Sequence, residues 1–292
     1  MKIPAFQYHR PTTVEEVVDL LAELGDDAKV LAGGQSLVPL MALRLSRPPN
    51  VIDLGRVGGL GYVHESQAGD LAIGCMVRHA VVETHSRVSE VAPLVSRAMP
   101  HIGHRAIRNR GTVCGSLAHA DPAAELPAVM VAAGASMVAR SRSGERVVAA
   151  ADFFSGYLTS DLAAEELLLE VRVPRAGGRS AWSVREVTRR HGDFALIGLA
   201  AGWDLDEKGA IGSAQLVFFG AGSVPVRVEE AEGVLVGQRP EAPLYEEAAA
   251  IVAERLSPPA DLHGSAAYRK HLGAVLTRRC LADMAGQMAG VA

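Results

Sequence analysis

The stretch that most constrains this chain is Lys29 to Leu37, Lys-Val-Leu-Ala-Gly-Gly-Gln-Ser-Leu. A short apolar strand runs into Gly33-Gly34, and Val-Pro-Leu-Met-Ala-Leu then reads as a helix with Pro39 in its first turn, where a missing N–H does least harm. Strand, glycine pair and helix start together form an arrangement suited to a diphosphate, because free N–H groups and the helix dipole both favour negative charge there. No Gly-Lys-Ser/Thr follows, so it is not a P-loop, and no Gly-x-Gly-x-x-Gly is present, so it is not the dinucleotide fingerprint of a Rossmann unit.

A second stretch has the same character. Arg108 to Pro127 reads Arg-Asn-Arg-Gly-Thr-Val-Cys-Gly-Ser-Leu-Ala-His-Ala-Asp-Pro-Ala-Ala-Glu-Leu-Pro. Gly111 and Gly115 permit backbone conformations that other residues resist, so peptide N–H groups can face a common point. Thr112 and Ser116 offer hydroxyls, and Asp121 and Glu125 offer carboxylates four residues apart. A lone Gly-x-x-x-Gly is more often a tight surface loop than a binding site; the first glycine loop is what shifts the balance. Paired carboxylates can also act as general acid and base. No nucleophile or metal-ligand spacing accompanies them, so binding of ligand hydroxyls is the better reading, with no catalytic side chain and no metal expected.

The 292 residues carry a formal charge of −4, which with scattered arginines argues against nucleic-acid binding. Arg105, Arg108 and Arg110 form the densest basic patch, beside the second glycine loop, and read as a phosphate or partner contact or as a solvated face. The start, Met-Lys-Ile-Pro-Ala-Phe, lacks the apolar core of a signal peptide, and no stretch is long and apolar enough for a membrane span. Three widely spaced cysteines, Cys75, Cys114 and Cys280, suit a reducing cytoplasm and cannot supply the four ligands of an iron–sulfur cluster.

Ala32-Gly33-Gly34-Gln35-Ser36-Leu37 and Gly111-Thr112-Val113-Cys114-Gly115-Ser116 through Glu125, in that order, with Asp261-Leu262-His263-Gly264-Ser265 and Tyr268-Arg269-Lys270 near the end, resemble the FAD-binding medium subunit of molybdenum hydroxylases. That family includes xanthine dehydrogenase, carbon monoxide dehydrogenase and quinoline oxidoreductase, and the resemblance covers essentially the whole chain. It implies an oxidoreductase subunit that carries FAD. Electrons would arrive from two [2Fe–2S] clusters on a small subunit, after substrate oxidation at a molybdenum–pterin cofactor on a large one, in a dimer of heterotrimers. It implies flavin contacts at Leu31, Ala32, Gly33, Gly34, Gln35, Ser36, Leu37 and Val38, at Ile102, at Thr112, Gly115, Ser116 and Glu125, at Leu168 and at Arg185; Asp121 joins them on the reading of its loop. Arg189 to Ala195 resembles the family's Arg-x-x-Gly-Asp-Tyr-Ala segment, so Phe194 stands where a tyrosine covers the ring in some members. Arg185 stands at or near a frequent lysine. Cys114 replaces a common glycine, which matters most if φ there must be positive. Gln35 differs from the histidine of carbon monoxide dehydrogenases, a mild sign of an organic substrate. No His or Cys lies in a flavin-linking motif, so FAD is expected to be non-covalent. The alternatives are a stand-alone flavoprotein reductase or oxidase, and a non-catalytic nucleotide-binding scaffold.

The expected fold class is α+β. A two-part FAD-binding domain spans 1–176, with a small α/β unit over about 1–55 and a second α+β subdomain over 56–176. A C-terminal domain of three antiparallel strands with helices spans 177–292, after Gly177-Gly178. Thr12-Thr13-Val-Glu15-Glu16 offers two overlapping capping boxes for a helix whose Val14, Val17, Val18 and Leu21 share a face. Other helices are expected to about Leu45, through Val77 to Thr84, over Val88–Met99, and around Val226–Leu235, Leu244–Leu256 and Tyr268–Ala285. Ser136–Ala139 and Glu145–Ala149 read as a hairpin, and Leu167–Val173 as a strand stopped by Pro174.

Overall fold

The computed structural model describes residues 2–66 and 69–289. Its first layer is a three-stranded parallel sheet in the order Gln7–His9, Asn50–Asp53, Ala28–Leu31. The helix Val14–Leu24 is nucleated by the second of the two capping boxes. Thr13 Oγ1 accepts from the Glu16 N–H at 3.1 Å, and the Glu16 carboxylate accepts from the Thr12 N–H at 2.6 Å. The Thr12 N–H and hydroxyl, both donating to it, hold the Glu16 carboxyl below the usual range. Val17, Val18 and Leu21 are buried against the sheet, and Gly25 ends the helix at a φ of +52°. The next helix is shorter than expected, Leu37–Ala42, because the chain turns left-handed at Arg44 (φ 60°) before Pro48-Pro49.

The second layer is a five-stranded antiparallel sheet in the order Val63–Glu65, Leu71–Gly74, Leu167–Val173, Ser136–Ser141, Gly144–Ala149. It contains the expected hairpin. The single helix expected over Val88–Met99 is instead Ser86–Val91 and Pro93–Ala98 with Ala92 between them at φ −129°, ψ 63°. Pro93 has no N–H to continue the first helix and pushes its predecessor out of helical geometry. Likewise the run from Val77 is helical only from His79 to Thr84.

The last sheet is antiparallel and follows chain order: Ser180–Thr188, Ala195–Leu205, Ile211–Phe219, and a two-residue fourth strand, Val226–Arg227. That extra strand delays the following helix to Glu229–Leu235. The Glu232 carboxylate fixes the join, accepting from Arg227 Nε at 2.8 Å and from the Leu216 N–H at 2.8 Å. Helices Glu229–Leu235 and Ala266–Ala289 cover one face of this sheet, with Ala242–Arg255 packed on both of them, and bury Ile197, Leu199, Ala201, Leu216 and Phe218. Val184, Ala195, Ala200, Val217 and Phe219 lie in the other core, with Leu117, Leu126 and Met137. With both faces covered, Ala195–Leu205 is an almost unbroken apolar run rather than an alternating one. Among the described residues, no helix is long and apolar enough to cross a membrane.

Candidate cofactor site

The first glycine loop leaves the carboxyl end of the parallel strand Ala28–Leu31, the end at which open α/β sheets place ligands. Gly34 has a φ of +72°, which accounts for the residue type there. Among the described residues, the N–H groups of Gly33, Gly34, Gln35 and Ser36 have no backbone or side-chain acceptor. The loop is mostly half-buried and Gly33 is buried, so four unpaired donors in sequence form a cradle that suits an anion. The Gln35 side chain folds back and donates to Gly33 O at 3.2 Å.

The two glycine loops touch through their backbones. A Cβ on Gly33 would lie 2.3 Å from Arg110 O and 2.8 Å from Gly111 Cα, and one on Gly115 would come within 3.7 Å of the Ala32 Cβ. The second loop differs from expectation in why it needs glycine. Neither Gly111 nor Gly115 has positive φ. Gly111 instead passes beneath the His79 ring, where a Cβ would sit 3.0 Å from Nδ1, and Gly115 clears Thr112 Oγ1, which a Cβ would approach to 2.6 Å. His79 is buried, and burial pushes it down to about 4, so it is neutral. The Thr112 hydroxyl accepts from the Gly115 N–H at 3.1 Å and caps the helix Val113–His119. Its oxygen is thus committed, with its O–H left to donate. The second loop therefore contributes shape more than free N–H donors.

Cys114 lies inside that helix without positive φ, so the strain considered for it does not arise. Its Sγ points into the core toward Ile73 O, 3.8 Å away, and burial raises its thiol well above the ordinary range. Ser116 is half-buried on the same helix. Ala120 ends the helix left-handed (φ 52°), and Asp121 Oδ1 then accepts from the Ala123 N–H at 2.9 Å. Pro122 O accepts from the Gly220 N–H at 2.7 Å, pinning this loop to the C-terminal sheet. Glu125, the first residue of the helix Glu125–Ala132, is buried.

The remaining expected residues divide. Leu31, Ala32, Leu37 and Val38 flank the first loop, with Val38 the most exposed of them. Ile102 and Leu168 are buried in the larger core. Phe194 is 62% exposed at the entrance to strand Ala195–Leu205. Its loop is seated by Gly192, where a Cβ would meet the His104 ring at 2.6 Å. Arg185 is not brought to this group: its guanidinium faces the C-terminal helix, 3.7 Å from Asp283. Strand alternation turns the next side chain, Glu186, to the opposite face, where Oε1 lies 3.4 Å from His101 Nδ1. His101 and Glu186 were missed in the sequence, although the period of two in Trp182–Arg189 separates position 185 from 186. Arg108 is a brace: it pairs with Glu83 at 2.8 Å and donates to Ile102 O and Gly103 O. Arg269, in the C-terminal signature, is also a brace. Buried, it donates to Leu196 O at 2.7 Å and to Asp261 Oδ2 at 2.6 Å.

Among the described residues, no group of three or more His, Cys, Asp or Glu is arranged to hold a metal. A crevice lined by Leu94, Val131, Pro174, Trp182, Asp204 and Gln215 includes no residue of either glycine loop.

Residues 4–176 match the family model described as the FAD binding domain in molybdopterin dehydrogenase, and residues 182–284 match that of the CO dehydrogenase flavoprotein C-terminal domain. The chain is 41% identical to the 6-hydroxypseudooxynicotine dehydrogenase complex subunit alpha of Paenarthrobacter nicotinovorans, over 97% of this chain and 95% of that one. Quinoline 2-oxidoreductase from Pseudomonas putida 86 superposes with a TM-score of 0.93 at 37% identity, covering 99% of each chain. Carbon monoxide dehydrogenase from Hydrogenophaga pseudoflava gives a TM-score of 0.94 at 32% identity, covering 98% of this chain and 99% of that one. With a first glycine loop whose N–H groups from Gly33 to Ser36 have no acceptor among the described residues, packed against the second, and with both family models matched in order, the chain belongs to the FAD-binding medium subunits of the molybdenum hydroxylases, a family of oxidoreductases.

Proposed function

We propose that this chain holds FAD non-covalently and relays electrons from the iron–sulfur clusters of a small partner subunit to an external acceptor. The molybdenum–pterin cofactor would sit on a large partner, and the assembly would be a cytoplasmic dimer of heterotrimers. The observation that carries the reading is the run of unpaired N–H groups from Gly33 to Ser36, backed by Arg110 and Gly111. In this reading those N–H groups bind the pyrophosphate. The Thr112 and Ser116 hydroxyls and the Asp121 carboxylate meet ribose or ribityl hydroxyls. Ile102 and Leu168 supply apolar surface, and Phe194 offers a ring face for stacking. FAD supplies the exchange between two-electron and one-electron steps. The chain's own part is to bind and orient the cofactor and to leave it open to partners on both sides of the electron path. The boundary between the flavin-holding and C-terminal parts falls at 177.

The test uses the purified complex and the single chain. Acid denaturation is expected to release FAD, and the FAD-loaded single chain is expected not to oxidise the substrate of the complex. Turnover by the single chain would establish a self-contained reductase or oxidase instead. A chain that binds no FAD would be a scaffold.

A further inference from the structure

The face that the C-terminal sheet turns toward the larger core changes character at one end. Val184, Ala200 and Val217, paired across three strands, belong to that core. Two residues further along each strand, the same face carries Trp182, Gly202 and Gln215, and beyond Gly202 it carries Asp204. Gly202 seats the indole: a Cβ there would lie 2.2 Å from the Trp182 ring. One face of the ring therefore rests on the sheet, and the residue lines a crevice of about 290 Å³. Leu94, Val131 and Pro174 form the opposite wall. The crevice thus lies where the two matched regions, 4–176 and 182–284, meet.

The polar groups left over in this crevice have one sign. Asp204 Oδ2 accepts from Ser213 Oγ at 3.1 Å, but Oδ1 is buried and has no partner among the described residues. Gln215 Oε1 is likewise buried and without a partner. The two side chains are diagonal neighbours on adjacent strands, about 7 Å apart, so one ligand can reach both. The helix Glu125–Ala132 ends against the crevice at Ala132-Ala133-Gly134, and its dipole adds negative partial charge. The two lining cations do not offset this, because Arg175 is paired with Glu65 and Arg227 with Glu232. A buried acceptor without a donor is costly, and a charged one more so. A ligand that brings N–H donors and positive charge relieves that cost. The indole face adds cation–π attraction, and Leu94, Val131 and Pro174 can cover an apolar body.

We propose that this crevice binds a small organic ammonium ion, whose N–H groups donate to Asp204 and Gln215 and whose apolar part lies between Trp182 and the opposite wall. The site shares no residue with either glycine loop, so it is separate from the cofactor site and stands whether or not FAD binds there. Gly177 keeps Asp204 accessible to such a ligand: a Cβ there would lie 2.6 Å from Oδ1.

Calorimetric titration of the full-length chain at about pH 7 tests this with three probes that share a phenyl ring and differ in charge: phenethylammonium, phenethyl alcohol and 3-phenylpropanoate. The ammonium is expected to bind, and the other two to bind at least about tenfold more weakly. Asp204→Asn keeps the shape and removes the charge, so it should weaken the ammonium about tenfold or more and leave the alcohol unchanged. Gly177→Ala sets a methyl group against Oδ1 and should weaken the ammonium as well. Thermal melts report whether each variant is folded; if neither is, the discrimination among probes by the wild type carries the test. Equal binding of the three probes, binding of none, or an Asp204→Asn protein that holds the ammonium as tightly as wild type overturns the proposal. Displacement of the ammonium by FAD would place the probe in the cofactor site and overturn it too, leaving the cofactor assignment intact.

Discussion

Replacing Gly33 by alanine adds one methyl group where two backbones meet. The new Cβ would lie 2.3 Å from Arg110 O, against ordinary contact beginning at 3.4 Å, so the loops must part by about 1 Å (3.4 − 2.3). The second loop has little room to yield. Arg110 O accepts from the Arg78 guanidinium, and Gly111 O accepts from the His79 N–H at 3.0 Å. Overpacking of this kind costs about 1–3 kcal/mol. The strain falls on the cradle, where a shift of about 1 Å spoils hydrogen bonds to phosphate oxygens. At 1.4 kcal/mol per decade the expected loss of FAD affinity is roughly ten- to a hundredfold. Gly58→Ala is the control, because a Cβ there meets nothing within 4 Å. Calorimetric titration of each apo-protein with FAD, alongside a thermal melt, reads both terms. A Gly33→Ala protein that binds FAD within twofold of wild type and melts at the same temperature would refute the interlocked-loop argument.

Two further substitutions separate phosphate-loop geometry from core packing. Gly34→Val puts a β-branched residue at a φ of +72° with its Cβ 3.2 Å from Val38 Cγ2, so FAD affinity should fall more than tenfold; equal affinities in the same titration would sink the phosphate-loop assignment. Cys114→Gly is expected to leave FAD affinity within a few-fold while lowering the melting temperature, because a helix-interior glycine costs about 1 kcal/mol and the vacated thiol leaves a void. A loss of flavin affinity without a change in melting temperature would show that Cys114 shapes the site directly.

Both glycine loops were legible in the sequence because glycine is rare where a backbone is free to be anything else. The reason for each glycine was only half legible. Gly34 needs its φ, a local property that a strand–glycine–helix pattern encodes. Gly33 and Gly111 need close approach to Arg110 and His79, 77 and 32 residues away, and contact at that separation leaves no local signal; Gly115 clears Thr112 within its own loop. The break at Pro93 was readable from proline chemistry, since the residue before it resists helix. Arg185 and Glu186 show what strand alternation does to neighbours: Arg185 faces Asp283 of the C-terminal helix, and Glu186, on the other face, is turned toward His101. The concern over Cys114 rested on an assumed φ, and helix placement removes it.

The sheet that serves two cores at once has a consequence for how the protein comes into being. Until Ala195–Leu205 and Ile211–Phe219 have left the ribosome, the apolar surface later covered by Val184, Ala200, Val217 and Phe219 faces water. The first 180 or so residues therefore emerge as an unfinished body prone to sticking, and they stand to gain from a chaperone or from early contact with a partner chain. Once closed, the same strand locks both halves into one cooperative unit, and its amides should exchange with solvent only when the whole chain opens.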